Sequence, residues 1–181
     1  MLCQKLNHAA YRCKDARKTV DFYTEVLGLK FSHAVGGDHV PSTGQYDPHI
    51  HVFFEMADGS SIAFFEVPRA AGGVRDETMP DWIQHFAFEV EDEEALEKAK
   101  VDMEARGMDV LGPTDHGFIK SIYFHDPSGH RLELTTRIRG REMPAGAEAE
   151  ASRLLDLWEQ TRDWSGAQAA AAVGEGYNVH G

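Results

Sequence analysis

The stretch YFHDPSGHRLEL, Tyr123 to Leu134, decides how the rest of the chain is read. Tyr123 and Phe124 read as the end of a strand, Asp126-Pro127-Ser128-Gly129 as a turn, and the following residues as a second strand. Successive strand side chains alternate faces, so Leu132 and Leu134 pack on one side while Glu133 stands with Arg131 and Thr135 on the other. A lone carboxylate in that place is either solvated decoration on a hairpin or one arm of a metal site.

The same hairpin occurs earlier in the chain. HVFFEMA from His51 lines up with SIYFHDP from Ser121, and DGSSIAFFEV from Asp58 lines up with SGHRLELTTR from Ser128, at one offset of about seventy residues. The segments upstream also match. HAAYRCKDARKTVDFYTEVLGLKF from His8 and HFAFEVEDEEALEKAKVDMEARGMDV from His85 both open as strands beginning His-x-Ala-aromatic. Both continue with apolar residues at helical spacing, Val20, Tyr23 and Leu27 in one, Ala95, Ala99 and Met103 in the other. Each ends at a glycine placed to close a helix, Gly28 or Gly107. The predicted unit is strand, helix and three strands, used twice, over residues 1–68 and 82–138 of a domain spanning 1–140. Gly36, Gly37, Pro41, Gly44 and Pro48 predict an irregular loop from about 36 to 49, and PRAAGGVRDETMPD, 68–81, reads as the linker. Residues 145–164 predict an amphipathic helix with Leu154, Leu155 and Trp158 on one face, inside a C-terminal extension 141–181 whose last residues read as weakly ordered.

The chain has 181 residues, room for one domain or two small modules sharing a core. Its net charge of −12 argues against nucleic acid or an anionic membrane as the main partner. Cys3 and Cys13 form no CxxC pair, and no apolar run has the length of a signal peptide or a membrane span. The expectation is a cytoplasmic protein without bound nucleic acid or membrane; the C-terminal helix, with Trp158 and Trp164, is free either to cover the sheets or to join a second copy as a homodimer.

Phasing the strands places His85 with Ala87 and Glu89, opposite Phe86, Phe88 and Val90, and places His8 with Ala10, opposite Ala9, Tyr11 and Cys13. His8, His85 and Glu133 therefore all belong to faces turned away from the helices. Either histidine alone is more often a hydrogen-bonded strand residue than a ligand; their equivalent places in duplicated strands favour ligation. Two imidazoles and one carboxylate leave coordination positions open, the arrangement suited to Fe(II) or Mn(II), and no thiolate points to a closed zinc site. The repeat position matching Glu133 is Ala63, so three protein ligands are expected, not four.

These residues resemble the vicinal oxygen chelate superfamily, which includes glyoxalase I, bleomycin-resistance proteins, methylmalonyl-CoA epimerase and type I extradiol dioxygenases. The resemblance spans about residues 5 to 138 and is carried by FYTEVLGLKF (22–31), the His8 and His85 strands, and SIYFHDPSGHRLEL (121–134). It implies an α+β fold of two βαβββ modules whose sheets form an open barrel around a divalent metal, followed here by a C-terminal helix. Ala63 departs from the four-ligand glyoxalase pattern, whereas the extradiol enzymes use the positions of His8, His85 and Glu133. Those enzymes hold a catechol-like aromatic and O2 at Fe(II). Their substrate-contacting tyrosine falls on Tyr123, and a loop histidine is matched by His116. Their acid/base histidine aligns near Phe54, with His49 or His51 as the nearest substitutes. The expected function is an Fe(II) extradiol-type dioxygenase. The alternatives are an isomerase, lyase or epimerase using Glu66 or Glu89 as an added base, and a metal-free protein that sequesters a small molecule. Trp82, Phe53, Phe54 and Phe65 are candidates for an aromatic pocket, and His125 and His130 are expected to be solvated beside the turn.

Overall fold

A computed structural model of the chain describes residues 2–70, 72–143 and 145–163. The expected unit occurs twice, as β1 (His8–Cys13), α1 (Ala16–Glu25), β2 (Lys30–His39), β3 (Tyr46–Glu55) and β4 (Ser61–Glu66), then β5 (His85–Glu89), α2 (Glu93–Ala105), β6 (Leu111–Asp115), β7 (Ile119–His125) and β8 (Arg131–Arg137). A third helix, α3, runs Ala147–Thr161. The strands make two four-stranded sheets, ordered β1-β4-β3-β2 and β5-β8-β7-β6. The class is α+β.

The duplication extends to individual hydrogen bonds. Asp15 and Asp92 cap the two helices, their carboxylates accepting from Lys18 N at 3.0 Å and Ala95 N at 2.8 Å. In the β3–β4 turn Met56 N donates to Ser60 O and Gly59 N to Met56 O; seventy residues on, Asp126 N donates to His130 O and Gly129 N to Asp126 O. Gly59 and Gly129 both take positive φ, +75° and +92°, which the turn requires and glycine adopts without steric cost.

By compactness the described chain divides into two units. One holds residues up to Phe86 together with His125–Leu132, and the other holds Ala87–Phe124 and the residues from Glu133 onward. In the first unit β1 runs parallel to β4, and β3 pairs antiparallel with both β4 and β2. One face of this sheet packs on α1. Tyr23 stacks on Phe54 at 5.0 Å and meets Phe64 at 4.9 Å, and Val52, Ile62 and Cys13 are buried with them. The expected loop at 36–49 is instead mostly strand. Gly36 and Gly37 pair with Ile50 and His49, and the glycines mark an irregular ladder with a register shift before His39, not a break. The buried helical seams are Ala16, Thr19 and Tyr23 in α1 and Leu96 and Met103 in α2, so the seam runs through Thr19 and Leu96 where Val20 and Ala95 were expected.

The turn from His125 to Leu132 is bolted onto this first unit. Asp126 accepts from Ser128 N, His130 N and the Tyr23 hydroxyl, the last at 3.3 Å. Burial, then the Asp126 charge, pushes the Tyr23 phenol well above its ordinary value. Lys14 N donates to Ser128 Oγ at 3.1 Å, and His130 Nε2 donates to Arg12 O at 2.7 Å. His130 is therefore buried among Tyr11, Phe64 and Phe86, not solvated as expected, because that backbone carbonyl and three rings claim it. Arg12 donates to Val67 O, Ala70 O and Gly72 O, tying down the start of the linker. Asp81 takes hydrogen bonds from Arg75, His125 and Arg131.

In the second unit Leu96, Met103, Ile122, Phe124, Leu134 and Ile138 are buried. Ser121 Oγ donates to Thr135 Oγ1 at 3.0 Å, and Lys120 pairs with Glu93. Along α3 Leu154, Leu157 and Trp158 are half-buried while Leu155 is 62 % exposed, so the apolar face runs through Leu157 and not Leu155. Trp164 and the tail read as weakly ordered lie outside the described residues. No described helix is long and apolar enough to cross a membrane.

Replacing Phe64 by Ala should cost about 3–5 kcal/mol, the usual range for emptying a buried phenylalanine site, read by denaturant unfolding; a loss near zero would contradict the assigned core. Asp81 is held down to about 2, first by its hydrogen bond from Arg75 and then by His125. Its folded value lies below its unfolded one, so its stabilisation is complete above about pH 4 and is lost as pH falls toward 2. Asp81→Asn should therefore lower Tm near neutrality, and its gap from wild type should close across that window; a gap independent of pH would contradict the Asp81 clamp.

Candidate functional site

The sheet face of the first unit that is not spent on α1 carries histidines and aromatic rings. Strand parity places His49, His51 and Phe53 of β3 together, with Ala63 and Phe65 of β4 beside them and His8 and Ala10 of β1 next in register. His51 stacks on Phe65 at 3.5 Å and 17°. His33 stacks on Phe53 at 4.2 Å and 13°, and His8 meets Phe53 edge-on at 5.4 Å and His51 at 6.0 Å. Ala63 is fully buried, paired with Ala10 and Phe53, and offers no ligand at the position matching Glu133.

Neighbouring acceptors set two of the tautomers. His8 Nδ1 lies 2.7 Å from Asn7 Oδ1, so an Nδ1–H donates there and Nε2 keeps its lone pair. His49 Nδ1 donates to Asp47 O at 2.7 Å in the same way. His51 Nε2 is buried with no hydrogen-bond partner. Burial first, then the adjacent His8, His49 and His33, hold the His51 imidazole down to about 4, so it is neutral near pH 7. Phe54, near which an acid/base histidine was sought, belongs to the helix-side core. The side chain that faces with His8 is His51, one of the two substitutes named from the sequence, and the alternation of 49, 51 and 53 accounts for its place. Trp82 is 68 % exposed, whereas Phe53 and Phe65 lie on the histidine face.

His85 opens β5, exposed, at a small cavity that it shares with Tyr11, Phe86 and Arg131. Phe86 and Phe88 alternate inward against exposed His85, Ala87 and Glu89, as phased from the sequence. Of the sequence-selected residues, His8 and His85 fall in the first unit, and Glu133, Tyr123 and His116 in the second. Glu133 is 5 % exposed, a buried carboxylate on the strand between Leu132 and Leu134. Among the described residues no three His, Cys, Asp or Glu side chains stand grouped as a metal cage.

Tyr123 and His116 are brought together. Their Oη and Nε2 are 2.8 Å apart, with the rings edge-on at 88°. Asp115 makes this local turn, accepting from Gly117 N at 2.8 Å and from Arg141 at 2.8 Å, and His116 N donates to Ile119 O. The turn folds the imidazole back over β7 beside the phenol. Such a pair shares one proton, which either atom can pass to or take from a third oxygen.

The donor chemistry of the selected residues suits a divalent ion: an oriented imidazole at His8, a second at His85 and a buried carboxylate at Glu133.

Comparison with known proteins matches residues 5–134 to the Glyoxalase/Bleomycin resistance protein/Dioxygenase superfamily. A putative ring-cleaving dioxygenase MhqA from Bacillus subtilis (strain 168) is 30 % identical over 143 residues, 75 % of this chain and 41 % of that protein, so the chain spans well under half of that relative. A 2-epi-5-epi-valiolone epimerase from an Actinomyces species is 26 % identical over 174 residues, 88 % of this chain and 91 % of its own. Among solved structures, a glyoxylase/bleomycin resistance protein/dioxygenase domain from Frankia sp. EAN1pec aligns with a TM-score of 0.61 at 20 % identity, covering 75 % of this chain and 99 % of that one. With the duplicated βαβββ order and a matched span covering most of the chain, the protein belongs to the Glyoxalase/Bleomycin resistance protein/Dioxygenase superfamily.

Proposed function

We propose that the protein is a metal-dependent enzyme of extradiol type, cleaving a catechol-like small aromatic with O2. The observation that carries this reading is the 2.8 Å pairing of Tyr123 with His116 in a chain that also supplies His8, His85 and Glu133. Those three residues would hold the ion, Fe(II) being favoured and Mn(II) chemically equivalent as a guest. When bound, the ion supplies Lewis acidity and a template for two vicinal oxygens and O2.

The chain's own groups handle the protons. The Tyr123 hydroxyl donates to a substrate oxygen while His116 Nε2, in its protonated tautomer, donates to the phenol oxygen. His51, neutral at working pH, takes the proton that a catechol hydroxyl must lose. Phe53 and Phe65 give the histidine face an apolar, aromatic lining that excludes water from that transfer. The acidic surface and free cysteines suit a dissolved substrate in a reducing cytoplasm.

A second reading, an isomerase or epimerase of the same superfamily, is favoured by the near full-length match to the epimerase relative. It needs a further base, and Glu66 is engaged, its carboxylate accepting from Ala16 N at 2.6 Å to hold the start of α1. Glu89 stays exposed. Stoichiometric oxygen uptake with a catechol would exclude this reading. A sequestering protein without metal would instead show no gain in Tm on adding Fe(II) or Mn(II).

Glu133→Ala should lose bound metal and ring cleavage together, measured by elemental analysis and an oxygen electrode; full metal occupancy would show that Glu133 is no ligand. Tyr123→Phe should keep its metal and lower kcat by about 10²-fold, the scale of one general acid–base group. Unchanged turnover would remove Tyr123 from the mechanism.

A further inference from the structure

The dipeptide Asp-His occurs twice in the chain, and the two copies bond differently. At the end of β2, His39 Nδ1 donates to Oδ1 of its own neighbour Asp38 at 2.9 Å. Just past β6, His116 follows Asp115 in the same way, yet its Nε2 lies 2.8 Å from the Tyr123 hydroxyl. The aspartate is what differs. Both oxygens of Asp115 are engaged, Oδ1 by Gly117 N at 2.8 Å and Oδ2 by Arg141 Nη1 at 2.8 Å. The Gly117 hydrogen bond first, and then Arg141, hold this carboxyl below the usual carboxylate range, so it is ionised near pH 7.

Arg141 comes from beyond the last strand of the repeat, which ends at Arg137. The chain leaving β8 is anchored, with buried Ile138 donating its N–H to Phe118 O at 2.9 Å and Arg141 N closing a turn onto Ile138 O at 3.0 Å. The guanidinium thereby meets the β6–β7 turn, where Nη1 donates to Asp115 Oδ2 and also to Gly117 O at 3.3 Å. One nitrogen with two hydrogens thus grips the residues on both sides of His116. The Arg141 and Asp115 side chains are 55 % and 48 % exposed, and ion pairs so open to solvent add little to global stability. The effect of this contact is therefore local, on the conformation of the turn.

We infer that Arg141 is a positioning residue for the Tyr123–His116 pair: by holding Asp115 and Gly117 it keeps the His116 ring turned to the Tyr123 hydroxyl and away from the carboxylate next to it. Without Arg141, His116 takes the bond to its own aspartate that His39 makes. The catalytic consequence rests on the reading of this pair as the proton handlers of ring cleavage, whereas the orientation of the ring is independent of that reading.

Nitrogen NMR of the metal-free full chain, with 15N-labelled histidine, tests the orientation, His116 being assigned by its loss in His116→Gln. In Arg141→Gln the His116 Nε2 resonance should move from its wild-type position toward that of Tyr123→Phe, where the bond is absent. Arg141→Lys, a point charge without the planar fork, should lie between the two. Tm should stay near wild type throughout. A wild-type His116 resonance in Arg141→Gln would overturn the inference. So would a lower Tm with all ten histidines displaced, the mark of a general structural role. With Fe(II)-loaded enzyme and catechol, Arg141→Gln should lower kcat about tenfold at unchanged KM, part of what a misplaced group can cost. It should cost nothing further in a Tyr123→Phe background, because both changes act on one pair. An equal loss in both backgrounds would contradict action through the pair. The expected NMR shift with no cleavage by wild type would keep the positioning role and sink the catechol reading.

Discussion

Tyr23 commits one face of the first sheet. Its ring fills the space between α1, Phe54 and Phe64, and its hydroxyl reaches Asp126 at the tip of a hairpin more than a hundred residues away. Once that face is spent on the helix, period-two alternation leaves His8, His51 and Phe53 no place except the opposite one. The chemistry of the first unit thus follows from a packing decision made elsewhere in the same strands. The same contact ties the turn of the second repeat into the first unit, so the compact units and the sequence repeats do not share a boundary.

Duplication explains both what the two halves share and where they part. Aspartate caps, closing glycines and the Met56–Ser60 and Asp126–His130 turns recur with the same hydrogen bonds. Divergence is concentrated at Ala63 against Glu133, and in the ten-residue β2 against the five-residue β6. The first unit carries a platform of rings, and the second a buried carboxylate and the His116–Tyr123 pair.

The strands, helices and their order were legible because alternation, helical spacing and turn residues agreed in both repeats. Residues 36–49 were misjudged because Gly36 and Gly37 signal a loop locally, whereas pairing with His49 and Ile50 holds them in a ladder. His130 was read as solvated because a histidine beside Asp-Pro-Ser-Gly looks like turn decoration; the Arg12 carbonyl that buries it is remote in sequence. The Tyr123–His116 pair was legible only as two separate candidates, since a turn and the first half of β7 separate them. Arg75, Asp81 and Arg131 were silent in the sequence, because ion pairs between a linker and a hairpin carry no local pattern.

The central claim is that His8, His85 and Glu133 hold one divalent ion. Anaerobic titration of the metal-free chain with Fe(II), followed by calorimetry, tests it most directly. The account predicts saturation at one equivalent per chain. Absence of saturable binding would contradict it.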